Sequence, residues 1–151
     1  EKLEFAKGIG ADELINYSET PLKEKVKEIT GGKGADVVYD PVGGELSDAA
    51  LRATAWHGRY LVIGFASGDI PKFAANILLL KEASAIGVWW GTWAAKNPHK
   101  HIQNIEELGV MIASGHIIPR VTEEFAMDQY KEAFEVITER RARGKVILKM
   151  N

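Results

Sequence analysis

Two hydrophobic periods alternate along the chain, one suited to helices and one to strands. Leu3, Phe5 and Ala6 stand among charges over residues 1–9, which reads as a surface helix closed by Gly8 and Gly10. Glu13–Tyr17 (ELINY) follows as a short strand, broken by Ser18-Glu19-Thr20-Pro21. Thr20 then suits a helix cap and Pro21 a first helical position, where its missing N–H costs nothing. Leu22, Val26 and Ile29 recur at i, i+4 and i+7, one apolar stripe ending at Gly31-Gly32, a left-handed stop.

The alternation continues to the C-terminus. Residues 35–40 (ADVVYD) predict a buried strand, and a helix follows to about Ala55. His57-Gly58 turns into a strand over 59–65 (RYLVIGF), whose apolar residues barely alternate, as in a strand covered on both faces. A helical patch over 75–82 and a strand over 84–90 (SAIGVWW) come next. Ile102, Ile105, Leu108 and Ile112 predict a helix over 98–114, and Tyr130, Phe134 and Ile137 one over 127–143 that stops at Gly144. Val146–Leu148 is a final strand. Strands separated by helical stretches of this length predict an α/β fold, a parallel sheet with helices on its faces, in one compact unit.

Composition narrows the function. With 19 basic and 21 acidic residues the formal charge is −2, without the basic excess of a nucleic-acid binder. No cysteine is present, which excludes a disulfide framework, thiol catalysis and a thiolate zinc site in this chain. The longest apolar runs, at 61–66 and 74–80, fall far short of the ~20 residues that span a bilayer. No membrane or export signal is visible, so the expected location is cytoplasmic. The sequence opens on Glu1 inside a helical pattern, and is expected to begin within a longer polypeptide.

In an open parallel sheet, ligands gather at the carboxyl ends of the strands. Two such ends carry glycine: Asp40-Pro41-Val42-Gly43-Gly44 and Gly64-Phe65-Ala66-Ser67-Gly68. There the main chain can approach a flat ligand and offer its N–H groups, although turn geometry alone also calls for glycine. Gly8-Ile9-Gly10 follows a helix and lacks the third glycine, so it is no dinucleotide fingerprint. Lys2 and Tyr17 could together hold a phosphate, or could be a solvated lysine and a half-buried tyrosine. His99 and His101, two apart, do not share a helix face, which disfavours a metal site. Asp36, Asp40 and Asp48 lack the close pairing of an acid–base mechanism, and Ser67 lies in no nucleophile elbow. Trp89, Trp90 and Trp93 suit an edge strand facing a partner, or a ligand cage.

ADELINYSE at 11–19, KEITGGKGADVVYDPVGG at 27–44, HGRYLVIGFASGDIP at 57–71, IASGHIIPRVTEEFAM at 112–127 and RGKVILKM at 143–150 resemble the medium-chain dehydrogenase/reductase superfamily. Within it they resemble the zinc-independent NADPH:quinone oxidoreductase (zeta-crystallin-like) branch. The resemblance implies a partial Rossmann fold, residues 1–151 being an incomplete cofactor-binding domain. The first two strands, the glycine-rich turn and the N-terminal GroES-like catalytic domain of such enzymes have no counterpart in this sequence. It implies NADPH as cofactor, a quinone or enone as substrate, and a homodimer through the edge strand at 84–90. It assigns Lys2 and Tyr17 to the 2′-phosphate and Val42 and Gly43 to the adenosine ribose. Gly64, Phe65 and Ala66 fall beneath the nicotinamide, Val88 and Trp89 near the carboxamide, and Lys145 also beside the cofactor. No catalytic residue or metal ligand is implied, and by itself the chain is expected to be inactive.

The alternative is a non-enzymatic dimerisation or scaffold module. From the strand order 3-2-1-4-5-6 of the parent fold, residues 35–40, 59–65 and 84–90 are expected to keep their sheet. Residues 13–17 are expected to have lost their only neighbour.

Overall fold

The structure, a computed structural model, describes residues 1–150. The order is α1 (Lys2–Gly8), α2 (Leu22–Ile29), β1 (Ala35–Asp40), α3 (Leu46–Ala53), β2 (Thr54–Val62), α4 (Ala75–Lys81), β3 (Ser84–Gly87), α5 (Trp90–Lys96), α6 (Pro98–Ala113), β4 (Val121–Ala126), α7 (Tyr130–Thr138) and β5 (Lys145–Lys149). Where the pattern predicts one compact unit, there are two, the first reaching Thr92 and the second beginning at Trp93.

In the first unit, β1, β2 and β3 form a parallel sheet in that order. This is the sheet expected of the three central runs. Residues 13–16 form no strand, and Tyr17 opens a turn. Asn16 explains the break: its carbonyl accepts the N–H groups of Glu19 and Thr20 at 3.0 and 2.9 Å, and its Oδ1 that of Ser18 at 3.2 Å. A backbone committed to a turn is withdrawn from any ladder. α2 is as expected, except that Pro21 rather than Thr20 holds the cap position. Its end is built by Thr30, whose hydroxyl donates to the Val26 carbonyl at 2.7 Å and accepts the Gly34 N–H at 2.8 Å.

β2 starts earlier and stops sooner than the pattern predicts. It begins at Thr54 with a bulge: Ala35 pairs with Thr54 and Val37 with Arg59, so the register jumps. It ends at Val62 because the Ile63 and Gly64 N–H groups both turn onto the Asp40 carbonyl, at 3.0 and 3.4 Å. β3 also ends early. Val88 makes the last bond, to the Val62 carbonyl at 2.9 Å, and Trp90 already opens α5. Trp89 and Trp90 are therefore not strand residues: β3 ends at Gly87 and Trp90 is the first residue of α5.

Leu51, Ala53, Ala55 and Tyr60 are the buried apolar side chains of this unit, beside buried Ser47 and Thr54. Neither β1 nor β2 is covered on both faces, since Val37 and Tyr39 are exposed and so is Arg59.

In the second unit, β4 and β5 pair in parallel and α7 packs on both. Strand β4 (VTEEFA) was invisible to the hydrophobic pattern, because Glu123 and Glu124 interrupt it. α7 stops at Thr138 instead of Gly144, since Arg140 adopts φ 58° and breaks the helical path. It buries Ala133 and Val136, whereas Tyr130, Phe134 and Ile137, the predicted core positions, are exposed. The apolar face of α6 is likewise open at Ile102, Ile105, Leu108 and Ile112. No described helix is long and apolar enough to cross a membrane.

Candidate functional site

Asp40, the last residue of β1, organises the carboxyl end of the sheet. Its Oδ1 accepts the Val42 and Gly43 N–H groups at 2.8 and 3.0 Å, and its Oδ2 accepts the Ser47 hydroxyl at 2.9 Å and the Tyr60 hydroxyl. Sequence reasoning sought a paired carboxylate and so passed over Asp40. The available signal was an aspartate followed within three residues by the N–H of a glycine, the pattern of a side chain capping its own turn.

The loop so fixed is laced to the one after β2. Ala66 donates to the Pro41 carbonyl at 3.1 Å, Ser67 to Val42 at 2.9 Å, and Gly44 to Asp69 at 3.1 Å. Gly43 has φ +73°, and a Cβ there would stand 2.9 Å from the Asp69 carbonyl oxygen and 3.1 Å from Phe65 Cδ1. Only glycine combines that conformation with that proximity.

Beside these loops lies a cavity of about 380 Å³ lined by Val62, Ile63, Gly64, Phe65, Gly87, Val88 and Trp89. Five of the predicted site residues thus meet at one end of the sheet: Gly64, Phe65, Val88 and Trp89 on the cavity, and Gly43 against Phe65. Val42 and Ala66 belong to the laced loops. The remaining three do not line the cavity. Lys2 is an exposed residue of α1, Tyr17 lies half-exposed in its turn, and Lys145 begins β5 in the second unit.

One expectation is overturned. The N–H groups of residues 42, 43, 44, 66 and 67 are all bonded within the protein. These loops therefore do not offer the converging donors of a phosphate nest. What they offer a ligand is main chain stripped of side chains and an apolar wall. The volume falls within the usual range for small-molecule and cofactor pockets, ~300–1,000 Å³. At Gly87 nothing lies within 4 Å of a would-be Cβ, so the floor is open. These features fit a flat, largely apolar ring such as a nicotinamide.

Burial opposes the charge of Asp40, but bonds from Tyr60, Gly43, Val42 and Ser47 more than offset it and hold the carboxyl below its ordinary value. Burial, then the bond to Asp40, pushes the Tyr60 phenol up to about 12. The depressed carboxyl contributes stability above the unfolded value of ~3.9 and loses it as pH falls through the lower folded value. The raised phenol contributes fully below its unfolded value of ~10 and loses it as pH rises toward about 12. Urea midpoints are therefore expected to fall at the acid end through Asp40 and at the alkaline end through Tyr60. Tyr60→Phe should remove most of the alkaline fall, and an unchanged alkaline limb in that variant would refute the assignment.

A parallel sheet whose ligand-sized cleft opens at its strand ends beside glycine loops is the nucleotide-binding architecture of the dehydrogenases. The chain belongs to the zinc-binding dehydrogenase family, whose model matches residues 9–148. It is 38% identical over 149 residues to the quinone oxidoreductase-like protein 2 homolog of Nematostella vectensis, covering 98% of this chain and 41% of that protein. Its fold matches the crystal structure of Escherichia coli quinone oxidoreductase complexed with NADPH, with TM-score 0.87 and 28% identity over 98% of this chain and 46% of that one. A mycobacterial protein complexed with NADPH gives TM-score 0.88 at 26% identity, over 99% and 47%. The chain thus spans less than half the length of these relatives. Its fold is the Rossmann-like fold of medium-chain dehydrogenases/reductases, as the sequence blocks imply. Among the described residues no group of three or more His, Cys, Asp or Glu could hold a metal ion.

Proposed function

We propose that this chain is part of the cofactor-binding domain of an NADPH-dependent reductase of the quinone or enone type. The observation that carries the reading is the meeting of Gly64, Phe65, Val88 and Trp89 on one cleft at the carboxyl ends of β2 and β3. When bound there, NADPH supplies a hydride to an electron-poor quinone or enone. The chain's own part is to bind, orient and exclude water. Gly64 lets the ring lie against main chain, Phe65 and Val88 flank it with apolar surface, and Trp89, 79% exposed, stands free to fold over it. Val42 and Gly43 belong to the turn beside the ribose. Lys2 and Tyr17 grip the 2′-phosphate as charge and donor.

The reading extends to zinc-independent chemistry, which rests on the sequence blocks shared with the quinone-reductase branch. It extends also to a cytoplasmic location and a homodimer. Supporting the last, every residue of β3 is exposed, and a bare edge invites a defined partner strand. Turnover belongs to the whole reductase.

Titration of the chain with NADPH, followed by nicotinamide fluorescence, tests the proposal. Saturable binding is expected, weakened about tenfold by Lys2→Ala, the loss of one charge-assisted phosphate contact, and by more with NADH, which lacks the phosphate altogether. Equal affinity for NADH would overturn the phosphate assignment, and no binding at all would favour the scaffold alternative.

A further inference from the structure

We propose that Asp40 is a positioning residue for the bound dinucleotide: its carboxylate locks the 41–44 loop in the conformation that presents Val42 to the ligand and seats the buried Gly43 against Phe65, a wall of the cleft. This rests on the nicotinamide-nucleotide reading of the cleft.

The geometry is over-determined. Four donors converge on two oxygens, two from the loop (Val42 and Gly43) and two from the elements beneath it (Ser47 on α3 and Tyr60 on β2). The lower pair cannot drift. Ser47 is buried, and the fully buried Tyr60 ring stands edge-on to Phe73 with centroids 4.9 Å apart. The carboxylate therefore transmits the position of the core to the loop. The loop passes it on, since the Pro41 and Val42 carbonyls hold Ala66 and Ser67, and Gly44 holds the Asp69 carbonyl. Without the carboxylate, the Val42 and Gly43 amides lose their acceptor and both loops lose their anchor. Because those amides face inward, the loop acts on a ligand through its shape and not as a donor to phosphate.

The test compares the whole chain with its Asp40→Ala and Asp40→Asn variants, by amide hydrogen exchange and by NADPH titration. In Asp40→Ala the Val42 and Gly43 amides should exchange at least about tenfold faster, with Arg59–Leu61 still protected, and the NADPH Kd should rise at least about tenfold. Asp40→Asn, which keeps an acceptor oxygen, should recover most of both. Unchanged exchange, or faster exchange with unchanged Kd, overturns the proposal. If the alanine variant does not fold, the wild-type chain decides. Protected Val42 and Gly43 amides, with a Kd raised about threefold in Asp40→Asn, support the proposal; unprotected amides or an unmoved Kd overturn it. A wild-type chain that fails to bind NADPH defeats the nucleotide reading and the positioning role with it, while the exchange rates still report whether Asp40 holds the loop.

Discussion

Gly58→Val is expected to destabilise the first unit by about 3 kcal/mol or more, the upper range for forcing atoms into a packed site. Gly58 is buried inside the β1–β2 bulge. A Cβ there would collide with the Thr54 methyl, and would sit 2.9 Å from the Ala55 carbonyl oxygen and 3.1 Å from that of Ala35. Two of the three obstacles are backbone, so the strain cannot be relieved by turning a side chain. The register jump that lets β2 run from Thr54 would have to open, taking the buried Thr54 and Ala55 with it. For a chain of this size the loss corresponds to a fall of roughly 10 °C in melting temperature. Gly58→Ala should move the same way by less. A valine variant melting within about 2 °C of the parent would show that the bulge is not closed as described.

Gly43→Val should strike ligand binding harder than stability. A β-branched residue at φ +73° is a true backbone outlier, and its Cβ would press on the Asp69 carbonyl and the Phe65 ring. The 65–69 loop must move, and with it Phe65, one wall of the cavity. The NADPH Kd should rise at least about 30-fold, equivalent to ~2 kcal/mol. Melting should fall only a few degrees, because the atoms a Cβ would meet first belong to the 65–69 loop and not to the buried core of Leu51, Ala55 and Tyr60. Titration beside a melting curve separates the two effects. Undiminished affinity would mean that the laced loops do not shape the binding site.

The acid and alkaline limits set by Asp40 and Tyr60 complement these substitutions, since they probe the same network without changing a residue. Asp40 shows how a site residue escapes a search for chemistry. It is neither nucleophile nor base, and its importance lies in which donors the fold delivers to it. Tyr60 escaped for the same reason: within RYLVIGF it reads as one more strand apolar, and its hydroxyl acquires meaning only opposite β1.

The sequence by itself determined the alternation of helix and strand, the parallel central sheet and the glycine-bearing strand ends. Those follow from side-chain periodicity and from residues with few allowed backbone conformations, which are local properties. The block LVIGFASG also contains four of the seven residues that line the cleft, Val62, Ile63, Gly64 and Phe65. The tertiary structure decided where each strand stops, because a ladder ends when its neighbour turns away, as it does once Val88 has made its bond to the Val62 carbonyl. It decided that β4 is a strand despite two glutamates, since β5 supplies the pairing that the pattern does not advertise. It alone showed that the amides of Gly44, Ala66 and Ser67 are already spent on carbonyls of the facing loop, for hydrogen bonds between residues so far apart in the chain leave no trace in a local pattern.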